Sequence, residues 1–125
     1  MELVWSVIHA VQQVDAHSWK IKMTIIEKNL KKLNIILPPA PAPAANYVPY
    51  SKTGKLIFVS GQIPIVNGEM IVGKVGKDTE VNDAVKAARA CGLAIISQLK
   101  EATNSNLDSI SRIIKWGGFV NCVDS

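Results

Sequence analysis

Histidine and cysteine are scarce in this chain, with two of each among 125 residues. His9 and His17 both lie before residue 23, and Cys91 and Cys122 show neither CxxC spacing nor a neighbouring histidine. Ordinary zinc-ligand spacing is therefore excluded, and no metal or cofactor is expected. Two cysteines without a framework fit reduced, buried thiols of a cytosolic-type protein. Long apolar runs are missing too, and none approaches the roughly 18 residues that a helical membrane span needs. The run from Leu3 to Val11 is broken by Ser6 and His9, and no small-residue cleavage site follows it. It does not read as a signal peptide. A cytoplasmic (or mitochondrial) protein with no membrane partner is the expectation. Strong charge of one sign is also lacking. Fourteen basic and ten acidic residues leave a formal charge of +4, and the basic residues are scattered instead of striped. A surface that tracks phosphates needs a clustered patch, so nucleic acid is not an expected partner.

What is present is a globular composition, 48% hydrophobic and 19% charged, in a length suited to one domain. Residues 1–22 carry Val4, Val7, Ile8, Val11 and Val14 at helical spacing, which predicts a short amphipathic helix. From Met23 a second start follows, with Ile26, Leu30 and Leu33 on one face of a short helix. We expect residues 1–22 to be an extension and the domain proper to begin at Met23. The stretch Leu37 to Ala45, LPPAPAPAA, is extended, because proline fixes φ and removes a donor. A stiff spacer laid over the surface is the plain reading, and a polyproline ligand without a flanking arginine is the sharper one.

Strand signals begin at residue 46. Asn46 to Tyr50 reads as a short strand ended by Pro49, Thr53-Gly54 as a turn, and Lys55 to Ser60 as the clearest strand. Asn67-Gly68 is a hairpin signal joining Ile63–Val66 to Met70–Val72. A helix capped by Asp78 or Thr79 then runs to about Thr103. Its expected buried stripe is Val81, Ala84, Val85, Ala88, Cys91, Gly92, Ile95, Ile96, Leu99 and Ala102. Ile110 to Val120 is a long strand with alternating apolar positions. The resulting order, β-β-β-α-β, predicts an α+β fold.

Most motifs fail on inspection. Gly68 to Val75, GEMIVGKV, has P-loop spacing, but Val75 offers no hydroxyl for Mg²⁺ and the motif sits in a hairpin. Gly73 to Lys77 precedes a helix, where anions can bind, yet a plain turn is the simpler account. Glu69, Asp78, Glu80 and Asp83 cluster near turns and a helix start, where capping explains them better than acid–base chemistry. One segment stays open. In Phe58-Val59-Ser60-Gly61-Gln62-Ile63-Pro64, Gly61 exposes backbone N–H groups at a strand bend and Ser60 adds a hydroxyl. That is either a bulge or a small oxyanion-holding site.

FVSGQIP resembles the signature of the reactive intermediate deaminase (Rid) family, also called YjgF-like or L-PSP endoribonuclease-like. The likeness runs from about Met23 to Val123 through LPPAPAPAANYVPY, NGEMIVGKVGKD, AVKAARACGLAIISQLKEA and LDSISRIIKWGGFVN. The proline-rich arm and the GKVGKD turn are similar to the family's less characterised subgroup. The resemblance implies a chorismate-mutase-like fold, a homotrimer and small-ligand clefts between subunits. It also implies hydrolysis of enamine or imine intermediates without cofactor, on a small carboxylate-bearing molecule. By motif, Tyr47, Ser60 and Gly61 belong to the cleft, with Tyr50 as second choice for the tyrosine. The family's carboxylate-pairing arginine and water-positioning glutamate lie on later strands, and neither Arg89 nor Arg112 stands in a matching motif. We therefore expect a domain lacking its C-terminal third, with no catalytic residue in place and no activity in this form. The alternatives are a non-catalytic ligand-binding or assembly subunit, and an endoribonuclease or RNA-binding protein.

Overall fold

In a computed structural model, which describes residues 9–13 and 23–124, secondary structure follows the turn chemistry closely. Strand β1 is His9–Gln13, helix α1 Ile25–Lys32, and β2 and β3 are Tyr50–Thr53 and Leu56–Val59. A small hairpin follows, β4 (Ile65–Val66) and β5 (Glu69–Met70), and then the long helix α2, Val81–Ala102. A 3₁₀ turn over Leu107–Ser109 leads into β6, Ile110–Trp116. The chain is α+β, as its pattern predicts.

The main sheet has the order β2-β3-β1-β6, with every neighbour antiparallel. The amphipathic helix expected in residues 1–22 is corrected where the structure describes it. His9–Gln13 is a strand, and Val4, Val7, Ile8 and Val14 lie outside the described residues. β1 sits between β3 and β6, with Val11 opposite Ile57 on one side and Ile113 on the other. Helical spacing of valines lost to ladder bonding, because β-branched residues suit a strand and two unpaired edges were there to be bridged.

The strand predicted over Asn46 to Tyr50 begins instead at Tyr50, after Pro49, since Tyr50 to Thr53 pair with Val59 to Leu56. The hairpin at Asn67-Gly68 forms as expected, both residues having positive φ, though its strands are two residues long. α2 starts at Val81 after Glu80, not after a side-chain cap. Asp78 instead accepts the Lys74 backbone N–H and closes the Gly73 to Lys77 turn. A β-carbon on Gly73 would lie 2.0 Å from Thr79 Oγ1, which requires glycine there. Helix α1 is capped by Thr24, whose hydroxyl accepts from Glu27 N while Glu27 reaches back to Thr24 N. The Asp108 carboxylate also accepts the Ile25 and Ile26 N–H groups, joining α1 to the 3₁₀ turn.

The core is Ile57, Val59, Cys91, Ile95, Leu99, Ala102 and Leu107, with Ile26, Leu30, Leu37, Tyr50, Ile96 and Ile110 packed against it. The buried face of α2 is rotated from the predicted stripe. Val81, Val85 and Ala88 are exposed, whereas Ala87, Ala94, Ser97 and Gln98 are buried. The cause is the proline-rich arm, which lies on α2 as a second covering layer beside the sheet.

Candidate functional site

Prolines in the arm leave carbonyls without partners inside it. Two α2 side chains supply donors: Ser97 Oγ donates to Pro38 O at 2.7 Å, and Gln98 Nε2 donates to Pro41 O at 2.6 Å. The arm is thereby held a fixed distance above α2. Between them lies a recess of about 490 Å³, closed on its other sides by Gly61 to Ile63, Ile65 and the Asn67-Gly68 turn. Its α2 wall is Ala90, Ala94 and Gln98, small residues that leave the space open.

Tyr47 and Gly61 both line this recess. Tyr47 Oη accepts the Ala44 N–H at 3.2 Å, fixing the ring against the arm. Ser60 is not part of the wall. Its N–H donates to Pro49 O at 3.0 Å and its hydroxyl to Val48 O at 2.5 Å, so it ties the end of β3 to the segment before β2. The second-choice tyrosine, Tyr50, packs against the core instead. The structure thus brings together two of the three motif residues and gives Ser60 a bracing position behind them.

Two residues were missed by motif reasoning. Gln62 and Gln98 line the same recess and are buried, at 6% and 2% exposure. Gln62 Nε2 donates to Ser60 O at 2.9 Å. A glutamine at a helical position between Ile95, Ile96 and Leu99 was the available signal, since a polar residue in an apolar stripe needs a partner. Below the floor, the Cys91 thiol donates to Gln62 O at 3.5 Å, and burial pushes its pKa up to about 11. It stays protonated at neutral pH and is no nucleophile.

Among the described residues, no charged side chain lines the recess. Arg89 and Arg112 are not in its wall. Among the described residues, no group of three or more His, Cys, Asp or Glu stands close enough to hold a metal, and no helix is long and apolar enough to cross a membrane. A second, shallow hollow of about 630 Å³ lies beside α1, edged by the Lys100–Glu27 ion pair at 3.3 Å.

Comparison with known proteins locates this arrangement in a family. Protein TCP17 of Trypanosoma cruzi is 41% identical over 97 residues, 77% of this chain and 60% of that protein. Protein HMF1 of Saccharomyces cerevisiae is 35% identical over 79 residues, 63% of this chain and 54% of its own length. The chain thus spans somewhat over half the length of these relatives. The crystal structure of Atu1372, a protein of unknown function from Agrobacterium tumefaciens, superposes with a TM-score of 0.60 at 43% identity, covering 70% of this chain and 54% of that one. Residues 27–125 match the family model described as YjgF/chorismate mutase-like, putative endoribonuclease. β1 lies outside that match, whereas the arm, the SGQIP bend and α2 that build the recess lie within it, and the chain belongs to the YjgF/chorismate-mutase-like, or Rid, family.

Proposed function

We propose that this chain is a small-ligand-binding Rid-family protein that takes molecules of the enamine and imine class and does not hydrolyse them by itself. The observation that supports this reading is the recess of about 490 Å³ shared by Tyr47 and Gly61. That volume suits a small molecule. The Gly61 N–H makes no hydrogen bond to any described residue, which leaves a donor for a ligand oxygen or nitrogen. Hydrolysis of an imine needs a group to move a proton and place water. Among the described residues, the wall offers no Asp, Glu, His, Lys or Arg for that work. The family description also names a putative endoribonuclease, but the described residues of the wall include no cation to pair with an RNA phosphate. A homotrimer with the recess near a subunit boundary is part of the proposal, and sedimentation at micromolar concentration tests it.

The central test is a threonine dehydratase reaction followed by imine decay, with and without the purified chain. Decay is expected at the same rate in both. Amide resonances of Tyr47 and Gly61 are expected to shift when oxobutanoate or an imine analogue is added. Faster decay would show turnover and remove the non-catalytic part. Unmoved resonances with every small molecule would remove the binding site itself.

A further inference from the structure

Helix α1 has one side on the core and one side in solvent. Ile26 and Leu30 pack against the core, whereas Ile25, Lys28, Lys32 and Leu33, spaced i, i+3, i+7 and i+8, are exposed together on the outward side. Just past the helix, Ile36 is 90% exposed, the most of any large apolar side chain among the described residues. Met23 and Ile36 edge the shallow hollow beside α1, which half-buried Leu30, Ile35 and Leu37 also line, together with Lys31 and Lys100. Lysines that are scattered along the sequence are thus gathered around one helix. Little opposes them. Glu27 is the only acidic residue from Met23 to Ala45, and it is held by Lys100 at 3.3 Å and by the Thr24 N–H. The Asp108 carboxylate is spent on the Ile25 and Ile26 N–H groups. Among the described residues, four ammonium groups stand there against two carboxylates, interleaved with exposed aliphatic side chains.

The composition of this patch separates its possible partners. Protein interfaces are enriched in Tyr, Trp, Phe and Arg and depleted in Lys, the reverse of what stands here. Surfaces that bind single-stranded RNA stack its bases on aromatic rings or guanidinium planes, and residues 23–37 contain neither. A bilayer with anionic headgroups suits both components. Aliphatic side chains enter the acyl boundary, while lysine ammonium groups on flexible apolar stems stay among the headgroups. We infer that α1 and the segment Leu33 to Leu37 form a peripheral docking surface for an anionic lipid bilayer, with Lys28, Lys31 and Lys32 meeting the headgroups and Ile25, Leu33 and Ile36 dipping beneath them. The expectation of no membrane partner rested on the lack of a spanning run, which a surface contact does not need. One short helix with few apolar groups gives reversible, salt-sensitive attachment and not a permanent anchor.

Flotation of the full chain with lipid vesicles is the test, one set of phosphatidylcholine alone and one with about 30% phosphatidylserine. Binding is expected to the anionic set only, with release as NaCl rises from roughly 0.05 M to 0.5 M. Lys28→Gln is expected to weaken partitioning about fivefold, and Lys28→Gln, Lys31→Gln and Lys32→Gln together about a hundredfold. Ile36→Ser is expected to weaken it several-fold with an unchanged urea midpoint, because that side chain is already in water. Lys77→Gln, in the turn before α2 and so at the opposite end of that helix from Lys100, is expected to change nothing. Equal binding to both vesicle sets, binding to neither, undiminished binding in the triple variant, or an equal loss in Lys77→Gln overturns the inference. An oligomer that Ile36→Ser breaks without lipid overturns it too and assigns the patch to a second copy. Retention on polyuridylate that the triple variant loses and Ile36→Ser keeps, with no vesicle binding, overturns it in favour of RNA.

Discussion

Strands β3 and β6 belong to one sheet, separated only by β1, yet they live in different surroundings. β3 buries Ile57 and Val59 completely, and α2 lies over it. β6 carries comparable apolar residues, but Ile113, Ile114 and Trp116 are each about half exposed, at 52%, 49% and 51%. Ile110, at the start of β6, packs against the core that α2 helps to build, and farther along an added β-carbon on Gly92 of α2 would be 4.0 Å from the Trp116 ring. The contrast teaches that an apolar strand pattern states a capacity for burial. Whether it is used depends on what lies across the strand, and α2 with its arm is aimed at the β2–β3 half.

The sharpest way to break that contrast is truncation of matched isoleucines. Ile57→Ala is expected to destabilise by about 2–5 kcal/mol, as large core truncations do, and Ile113→Ala by less than about 1 kcal/mol. Urea midpoints with an unchanged slope would measure both, and equal losses would mean that β6 is covered after all. Next in size is Val11→Pro. β1 joins the two halves through Val11, opposite Ile57 and Ile113, and proline there removes a ladder donor inside the sheet. A loss of roughly 1–3 kcal/mol is expected, with β6 amides exchanging faster than β3 amides. An unaltered melting temperature would mean that β1 does not hold the sheet together.

Asp108→Ala tests how β6 is anchored at its start. The carboxylate accepts the Ile25 and Ile26 N–H groups of α1. Its removal is expected to cost about 0.5–2 kcal/mol, the range of a lost helix cap. Fluorescence-monitored unfolding that coincides with the parent's would contradict the anchoring. The smallest effect at neutral pH concerns the thiols, which repeat the comparison in chemistry. Cys91 is buried beneath the recess, and Cys122, beyond β6, is exposed. An aromatic disulfide reagent at mildly basic pH is expected to label Cys122 at once and Cys91 only on unfolding. Burial raises the Cys91 pKa from 9.0 to about 11. The folded chain therefore keeps a proton that the unfolded chain loses, so this contribution to stability is intact below about pH 9 and disappears as pH rises toward 11. Rapid labelling of both thiols in the native protein would refute the buried assignment.

Much of the fold was legible because local chemistry and tertiary packing agree. Asn67-Gly68 made its hairpin, Leu56 to Val59 made its strand, and α2 ran nearly as its periodicity required. Asn46 to Tyr50 was misplaced because strand pairing, not the proline, decided where β2 begins. His9–Gln13 was misread because valine at helical spacing also serves a central strand. The candidate site was half legible. Tyr47 and Gly61 came from the motif, while Gln62 and Gln98 did not, since nothing local says that an arm 57 residues before Gln98 will rest upon it.

Ser60-Gly61 illustrates the division. By itself the sequence determined a strand, a bend and a family, because turn residues and a β-rich run act over a few neighbouring positions. Tertiary structure decided that Gly61 lines a recess while the Ser60 hydroxyl braces the Val48 carbonyl. Those outcomes depend on which distant segments meet, and a proline-rich arm meets α2 only where side-chain donors answer its unpaired carbonyls.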